Sequence, residues 1–311
     1  MCDRRRGLGG DGAIRLAPAR PGTGADVFMD YRNADGSLAE MCGNGVRCVA
    51  KLVLDHGWVA GDRVAVDTRA GVKHVTVTAR HDDGTVAAVA VDLGAARVGD
   101  PLDVDISPLT RARAVATTGE ETVTAEQRTL RVLPVSLGNP HAVVLVGADP
   151  AALDAVPLAD WARWISAHEA FPDGANVEAI AVPAATTVHG RIHERGSGET
   201  LSSGTGASAM AVAAAALGHA DREATVRLPG GDLEVAWGAD GTVTMSGPAE
   251  IVATGALDAG WLSRTRAAHE RAAEGPAGEG PAAEGSTAEG PGPQTPTPAR
   301  TSHPTRPASA P

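Results

Sequence analysis

The amino-acid sequence predicts an α/β (α+β) fold of two pseudo-symmetric halves, each a β-sheet wrapped around one central helix, with a disordered C-terminal tail. Three observations predict it. Two glycine turns feeding small-residue helices share one design. When Cys42 is set over Ser203, Gly43 meets Gly204 and Gly45 meets Gly206. Asn33 lies nine residues before Cys42 and Glu194 nine before Ser203, so one unit is repeated at an offset of 161 residues. Most other segments up to about residue 250 alternate apolar and polar or run β-branched, as strands do. From Ala272 onward there is no Val, Ile, Leu, Met or aromatic residue, and Glu274, Glu279, Glu284 and Glu289 recur in Glu-Gly-Pro-like units. Such a segment cannot bury enough apolar surface to offset its ordering entropy, which predicts disorder over 271–311.

In chain order, a helix is expected over Gly43–Asp55, after its glycine turn. Strands follow at Val64–Asp67, Lys73–Thr78 and Val86–Asp92. The region Pro101–Arg128 links the halves. Strands are then expected at Arg131–Val135 and His141–Val146, an amphipathic helix at Leu158–Ala167, and strands at Asn176–Val182 and His189–His193. The second central helix covers Gly206–His219. Thr225–Leu228, Leu233–Trp237 and Thr242–Ser246 close the set. The halves are therefore 1–115 and 116–255, with 256–270 available to complete the first. They are unequal: Asn139 lies 64 residues before Ser203, whereas the point 64 residues before Cys42 falls ahead of Met1. The first half is expected to lack its opening strands, through an upstream start or a deletion, since a sheet missing its edge exposes unpaired backbone.

The bulk properties narrow the function. The chain of 311 residues is 43% apolar but only 3% aromatic, so its core is Val, Ala and Leu. A net charge of −11 argues against nucleic acid and anionic membranes as partners. No apolar run reaches the roughly 18 residues a spanning helix needs. The basic opening Cys2-Asp3-Arg4-Arg5-Arg6 is followed by no apolar stretch and is no signal peptide. Three cysteines, Cys2, Cys42 and Cys48, suit a reducing cytoplasm.

The chemistry is expected at the two glycine turns. A turn running into a helix points free N–H groups and the positive end of the dipole at one spot, which holds an anion such as a carboxylate. Two such helix starts facing each other would enclose a small ligand between Cys42 and Ser203. Two groups facing one carbon from opposite sides are what a cofactor-free racemase needs. A thiol near its reference pKa of about 8.5, lowered by a helix start, can serve as a base. The amides of Gly43-Asn44 and Gly204-Thr205 would hold a carboxylate and share carbanion charge. Asn33, Asn139, Asn176, Glu194 and Arg195 stand at loop or strand ends, where they could fix ammonium and carboxylate groups.

Plainer readings stand beside these. Cys42 alone would be a small buried residue; the repeat and turn argue otherwise. Cys48 is read as core, and its spacing from Cys42 matches no common zinc pattern, so no metal is expected. Gly7–Gly12 and Gly204–Ala209 fit Gly-x-Gly-x-x-Gly or its Ala variant but follow no clear strand in a βαβ unit. Ser203 lacks the Gly-x-Ser-x-Gly elbow of a hydrolase. His141, after Asn139-Pro140, either acts in catalysis or bonds within a turn.

Met41-Cys-Gly-Asn-Gly-Val-Arg-Cys48, Gly138-Asn-Pro-His141, Phe171-Pro-Asp-Gly-Ala-Asn-Val177, Glu194-Arg-Gly-Ser-Gly-Glu-Thr200 and the opening Cys2–Gly12 segment resemble diaminopimelate epimerases, in order, over about residues 1–260. The resemblance implies two similar halves with the active site in the cleft between them. It implies interconversion of LL- and meso-diaminopimelate without a cofactor, in lysine and peptidoglycan synthesis, by a cytoplasmic homodimer. It places Cys42 as the first catalytic cysteine, with Gly43, Asn44, Gly204 and Thr205 as the carboxylate-binding turns. Asn33, Asn139, Asn176, Glu194 and Arg195 would bind substrate, and His141 and Glu194 would assist the bases. Two departures are visible: the second cysteine falls on Ser203, and the family's opening strand with a substrate-binding Asn is absent. An impaired epimerase is expected. The alternatives are a one-base relative using Cys42 to exchange a proton or eliminate a leaving group, and an inactive paralogue that binds or dimerises.

Overall fold

The computed structural model describes residues 1–106 and 129–273. The expected linker falls mostly outside the described residues, as does the tail from residue 274 onward.

The first half opens with two strands the pattern had not singled out, β1 (Gly12–Pro18) and β2 (Val27–Asn33), which pair antiparallel. Their alternation is interrupted by charge, and the structure shows why. Arg15 on β1 and Arg69 both bond the Asp30 carboxylate on β2, at 2.9 and 2.8 Å. Helix α1 (Gly43–Asp55) follows, then β3 (Arg63–Thr68), β4 (Gly71–Arg80) and β5 (Val86–Ala95). Short β6 (Arg97–Val98) and β7 (Leu102–Asp105) precede β8 (Thr129–Ser136) and β9 (Pro140–Gly147). A 3-10 turn at Pro150–Ala155 leads to α2 (Leu158–Ser166). The second half continues with β10 (Asn176–Ala184), β11 (Thr187–Glu194), β12 (Gly198–Thr200) and helix α3 (Gly204–Ala216). It ends with β13 (Glu223–Leu228), β14 (Gly231–Trp237) and β15 (Thr242–Pro248). By itself, the segment after Ala253 carries α4 (Ala259–Ala273), whose start Asp258 caps through the Trp261 N–H.

The repeat is visible in the ladders. Helices α1 and α3 are each 13 residues long and lie 161 positions apart. In the first half β1 pairs β2 antiparallel, β2 pairs β3 parallel and β3 pairs β4 antiparallel. In the second, β10 pairs β11, β11 pairs β13 and β13 pairs β14 in the same senses. The matching final strands β5 and β15 pair antiparallel with each other, so hydrogen bonding runs continuously through both halves. On its outer side β10 is joined by parallel β9, and β9 by antiparallel β8.

Each central helix packs on its own strands: α1 on β2 to β5, and α3 on β8 to β11 and β13 to β15. Ten of the 13 residues of α3 are buried, and eight of those ten are Ala, Gly or Ser, because small side chains let strands approach from nearly all sides. Gly190 on β11 makes room for Met210, which is fully buried. A second core lies on the opposite face of β9 and β10, where Ala142, Val144, Val177 and Ala179 meet Leu158, Ala162 and Ile165 of α2.

Candidate active site

The two helix starts are built alike. Cys42 caps α1 from an extended backbone (φ −139°, ψ 114°), and its Sγ accepts the Gly45 N–H at 3.3 Å. Ser203 caps α3 (φ −138°, ψ 127°), and its Oγ accepts the Gly206 N–H at 3.4 Å. This is ordinary N-capping by a short polar side chain. Helix α3 therefore begins at Gly204, two residues before the expected start, because Ser203 is its cap and not the tip of a longer loop.

The two starts abut. A Cβ on Gly204 would lie 3.4 Å from the Gly43 Cα, and one on Gly43 would lie 3.5 Å from the Gly204 Cα. Glycine is required here for close approach, not for an unusual φ. The Asn44 amide donates to Ser202 O across the gap at 3.4 Å. Arg47 donates to Asn44 Oδ1 at 3.1 Å and to Pro248 O at 3.2 Å, which fixes that amide from behind. Neither helix has an acidic residue in its first turn, so the free N–H groups converge with no carboxylate of their own to neutralise them. This arrangement can hold an anion between Cys42 and Ser203.

The ionisable groups around it are shifted. Burial pushes the Cys42 thiol above its ordinary value, and the nearby Glu194 charge adds to this; the Gly45 and Asn44 N–H groups pull the other way and lose. The expectation that the helix start leaves the thiol depressed is thus corrected: desolvation outweighs the dipole. Tyr31 is pushed up to about 12, first by burial and then by the nearby Cys42. His141 Nδ1 and Glu178 Oε1 meet at 2.6 Å with both side chains fully buried. Burial raises the Glu178 carboxyl, against the pull of His141.

Of the other residues read from the sequence, Asn139 and Glu194 are tied to these groups, while Asn33, Asn176 and Arg195 bond within their own turns and strand ends. Asn139, in the turn before β9, donates to Thr205 Oγ1 at 3.3 Å. Asn176, at the start of β10, accepts the Arg195 N–H at 2.9 Å. The Arg195 guanidinium is exposed and donates to Asp173 O in the Phe171–Gly174 turn at 2.6 Å. Glu194 ends β11 and accepts from Thr200 Oγ1 at 2.6 Å; its charge reaches Cys42, Tyr31 and Glu178. Asn33 ends β2 at the matching position, and its amide donates to Ser37 Oγ within its own turn at 3.0 Å. Cys48, expected in the core, is exposed. Tyr31, Arg47 and Glu178 were not singled out by sequence reading. A carboxylate amid the buried run of β10, at the same parity as Asn176, was the signal for Glu178.

The diaminopimelate epimerase family model matches residues 1–98 and 134–252. The diaminopimelate epimerase of Pelotomaculum thermopropionicum is 41% identical over 263 residues, 82% of this chain and 86% of that protein. That of Mycolicibacterium paratuberculosis is 41% identical over 278 residues, covering 84% and 87%. Among solved structures, a probable proline racemase from Agrobacterium radiobacter is similar in fold, with a TM-score of 0.58, 21% identity, and coverage of 83% of this chain and 79% of the other.

Proposed function

The chain belongs to the diaminopimelate epimerase family, and from that premise we propose that it interconverts LL- and meso-diaminopimelate by cofactor-free proton transfer at one α-carbon. The observation that carries this reading is the pair of like caps, Cys42 and Ser203, on helix starts that abut through Gly43 and Gly204. In this reading the α-carboxylate sits against the N–H groups of Gly43-Asn44 and Gly204-Thr205, where charge developing on deprotonation is also stabilised. Cys42 transfers the proton on one face. Asn33, Asn139, Asn176, Glu194 and Arg195 orient the ammonium and distal groups, and His141 and Glu194 assist the bases. Ser203 stands on the other face. Its hydroxyl is a far weaker acid than a thiol and needs an adjacent base to act, so turnover is slow. In this reading the chain acts as a cytoplasmic homodimer, as the family resemblance implies. Among the described residues no helix is long and apolar enough to cross a membrane.

The test is incubation with LL- and with meso-diaminopimelate in D2O, scored for α-deuterium and for configuration. Two-base chemistry predicts deuterium entry with inversion from both isomers, lost in Cys42→Ala. The single thiol at the paired caps favours one second reading, one-base exchange by Cys42, which predicts deuterium entry with retention from one isomer only. No exchange from either isomer would refute both and leave an inactive binding paralogue.

A further inference from the structure

The two halves differ in which polar groups attend their caps. Across the β1–β2 ladder, Ile14 pairs with Tyr31; at the matching place in the β10–β11 ladder, Glu178 pairs with Ile192. Polar and apolar members are exchanged between the strands. In the first half Ile14 lies against Gly45, and Tyr31 stands near Cys42. In the second, Ile192 lies against Gly206, and Glu178 reaches His141 on β9. His141 and Glu178 share strand parity with Val143 and Ile180, which belong to the core around α3, so the pair faces the helix that Ser203 caps. Asn139, one same-face step before His141, bonds Thr205 in that helix's first turn.

Both members are fully buried, and each keeps one unpartnered polar atom: His141 Nε2 and Glu178 Oε2. A buried pair with a net charge is costly unless paired with another charge. Two forms of this pair are neutral overall: an imidazolium with a carboxylate, and a neutral imidazole accepting at Nδ1 from a carboxylic acid. In both, Nε2 carries a proton, because the bond made at Nδ1 decides the state of the other nitrogen. Loss of the Nε2 proton leaves Nδ1–H facing a carboxylate, with a net charge of −1 in a sealed site. The pair can therefore release one proton, from Nε2, and is driven to take one back there.

We propose that Glu178 is a positioning residue that holds His141 by Nδ1 and keeps a proton on Nε2, making the pair the proton store of the Ser203 side, as the Cys42 thiol serves the other. Glu194 on β11 also acts on the pair, and its charge favours a protonated pair. The catalytic part rests on the epimerase reading proposed above; the tautomer assignment does not.

The test is nitrogen-15 NMR of His141, with the protein labelled at histidine and His141→Asn assigning the signal. The intact chain should show a proton-bearing Nε2 from pH 6 to 8, and Glu178→Leu, which offers Nδ1 neither a donor nor an acceptor, should release the tautomer so that an unprotonated Nε2 signal appears. An unprotonated Nε2 in the intact chain would overturn the proposal whether or not the variant folds. With diaminopimelate, Glu178→Gln should lower kcat for proton transfer on the Ser203 face by about 100-fold. KM should stay within about twofold, and Glu178→Asp should recover part of the loss. Equal loss on both faces with an unchanged Nε2 signal in Glu178→Leu would mean that Glu178 is only structural. Absence of turnover in the intact chain would overturn the epimerase reading while leaving the NMR result standing.

Discussion

Filling the gap between the two helix starts separates their structural role from their chemical one. A Cβ at Gly204→Ala would lie 2.8 Å from Met245 Cε, 3.4 Å from Gly43 Cα and 3.6 Å from Asn44 Oδ1. The first contact is too short, and Met245 is fully buried, so its terminal methyl must turn within a packed core. Overpacking of this kind costs about 1–3 kcal/mol. Alanine recovers up to about 1 kcal/mol over glycine in a helix. The net loss is then about 0–2 kcal/mol, and at about 2–4 °C per kcal/mol for a fold of this size Tm should fall by less than about 8 °C. The effect on reactivity should be far larger. The methyl group stands between the amides assigned to the carboxylate and crowds Asn44, and a displacement of about 1 Å can cost 100-fold. The assay is α-proton exchange in D2O beside thermal unfolding of the same preparation. A stable variant exchanging at the parental rate would refute the placement of the substrate between the caps.

Three further outcomes are expected. Arg47→Met should leave the part-buried Pro248 O and Asn44 Oδ1 without their donor; at about 0.5–1.5 kcal/mol per lost hydrogen bond, denaturant unfolding should register a loss of about 1–3 kcal/mol. Gly190→Ala should cost about 1–3 kcal/mol, because its Cβ would collide with the buried Met210 side chain against a strand that cannot retreat; chemical denaturation measures this. Stability should also fall with alkaline pH. Folding raises both Cys42 and Tyr31, so their contribution is complete below their unfolded values, about 8.5 and 10, and is lost as pH rises toward the folded ones, about 12 for Tyr31. Tm measured from pH 7 to 11 should therefore decline, and Tyr31→Phe should flatten the upper part of that decline.

The repeat made the centre of the fold legible. Gly43–Asp55 could be bounded from its glycine turn and apolar spacing, and applying the same offset to Ser203 would also have set the start of α3. The exposed Cys48 was legible too, since at 100° per residue it lies opposite the face formed by Val46, Val49, Ala50 and Val53. β1 and β2 were harder. Their alternation carries Arg15 and Asp30, and charges on a strand are explained only once Arg69, distant in sequence, closes the cluster. His141 was ambiguous for a similar reason. Its meaning depends on Glu178, 37 residues later, which a parallel ladder brings alongside. The sign of the Cys42 shift could not be read locally, because the helix start is visible in sequence while the burial that outweighs it is a product of the whole cleft.

The central claim is that Cys42 and Ser203 are the two faces of one proton-transfer site and that the hydroxyl limits it. The direct measurement is kcat/KM for epimerisation of LL-diaminopimelate by the intact chain and by Ser203→Cys, each with its α-deuterium exchange in D2O. A thiol at this cap should raise turnover by several orders of magnitude and give deuterium entry with inversion from both isomers. An unchanged kcat/KM in a folded Ser203→Cys protein would contradict the account.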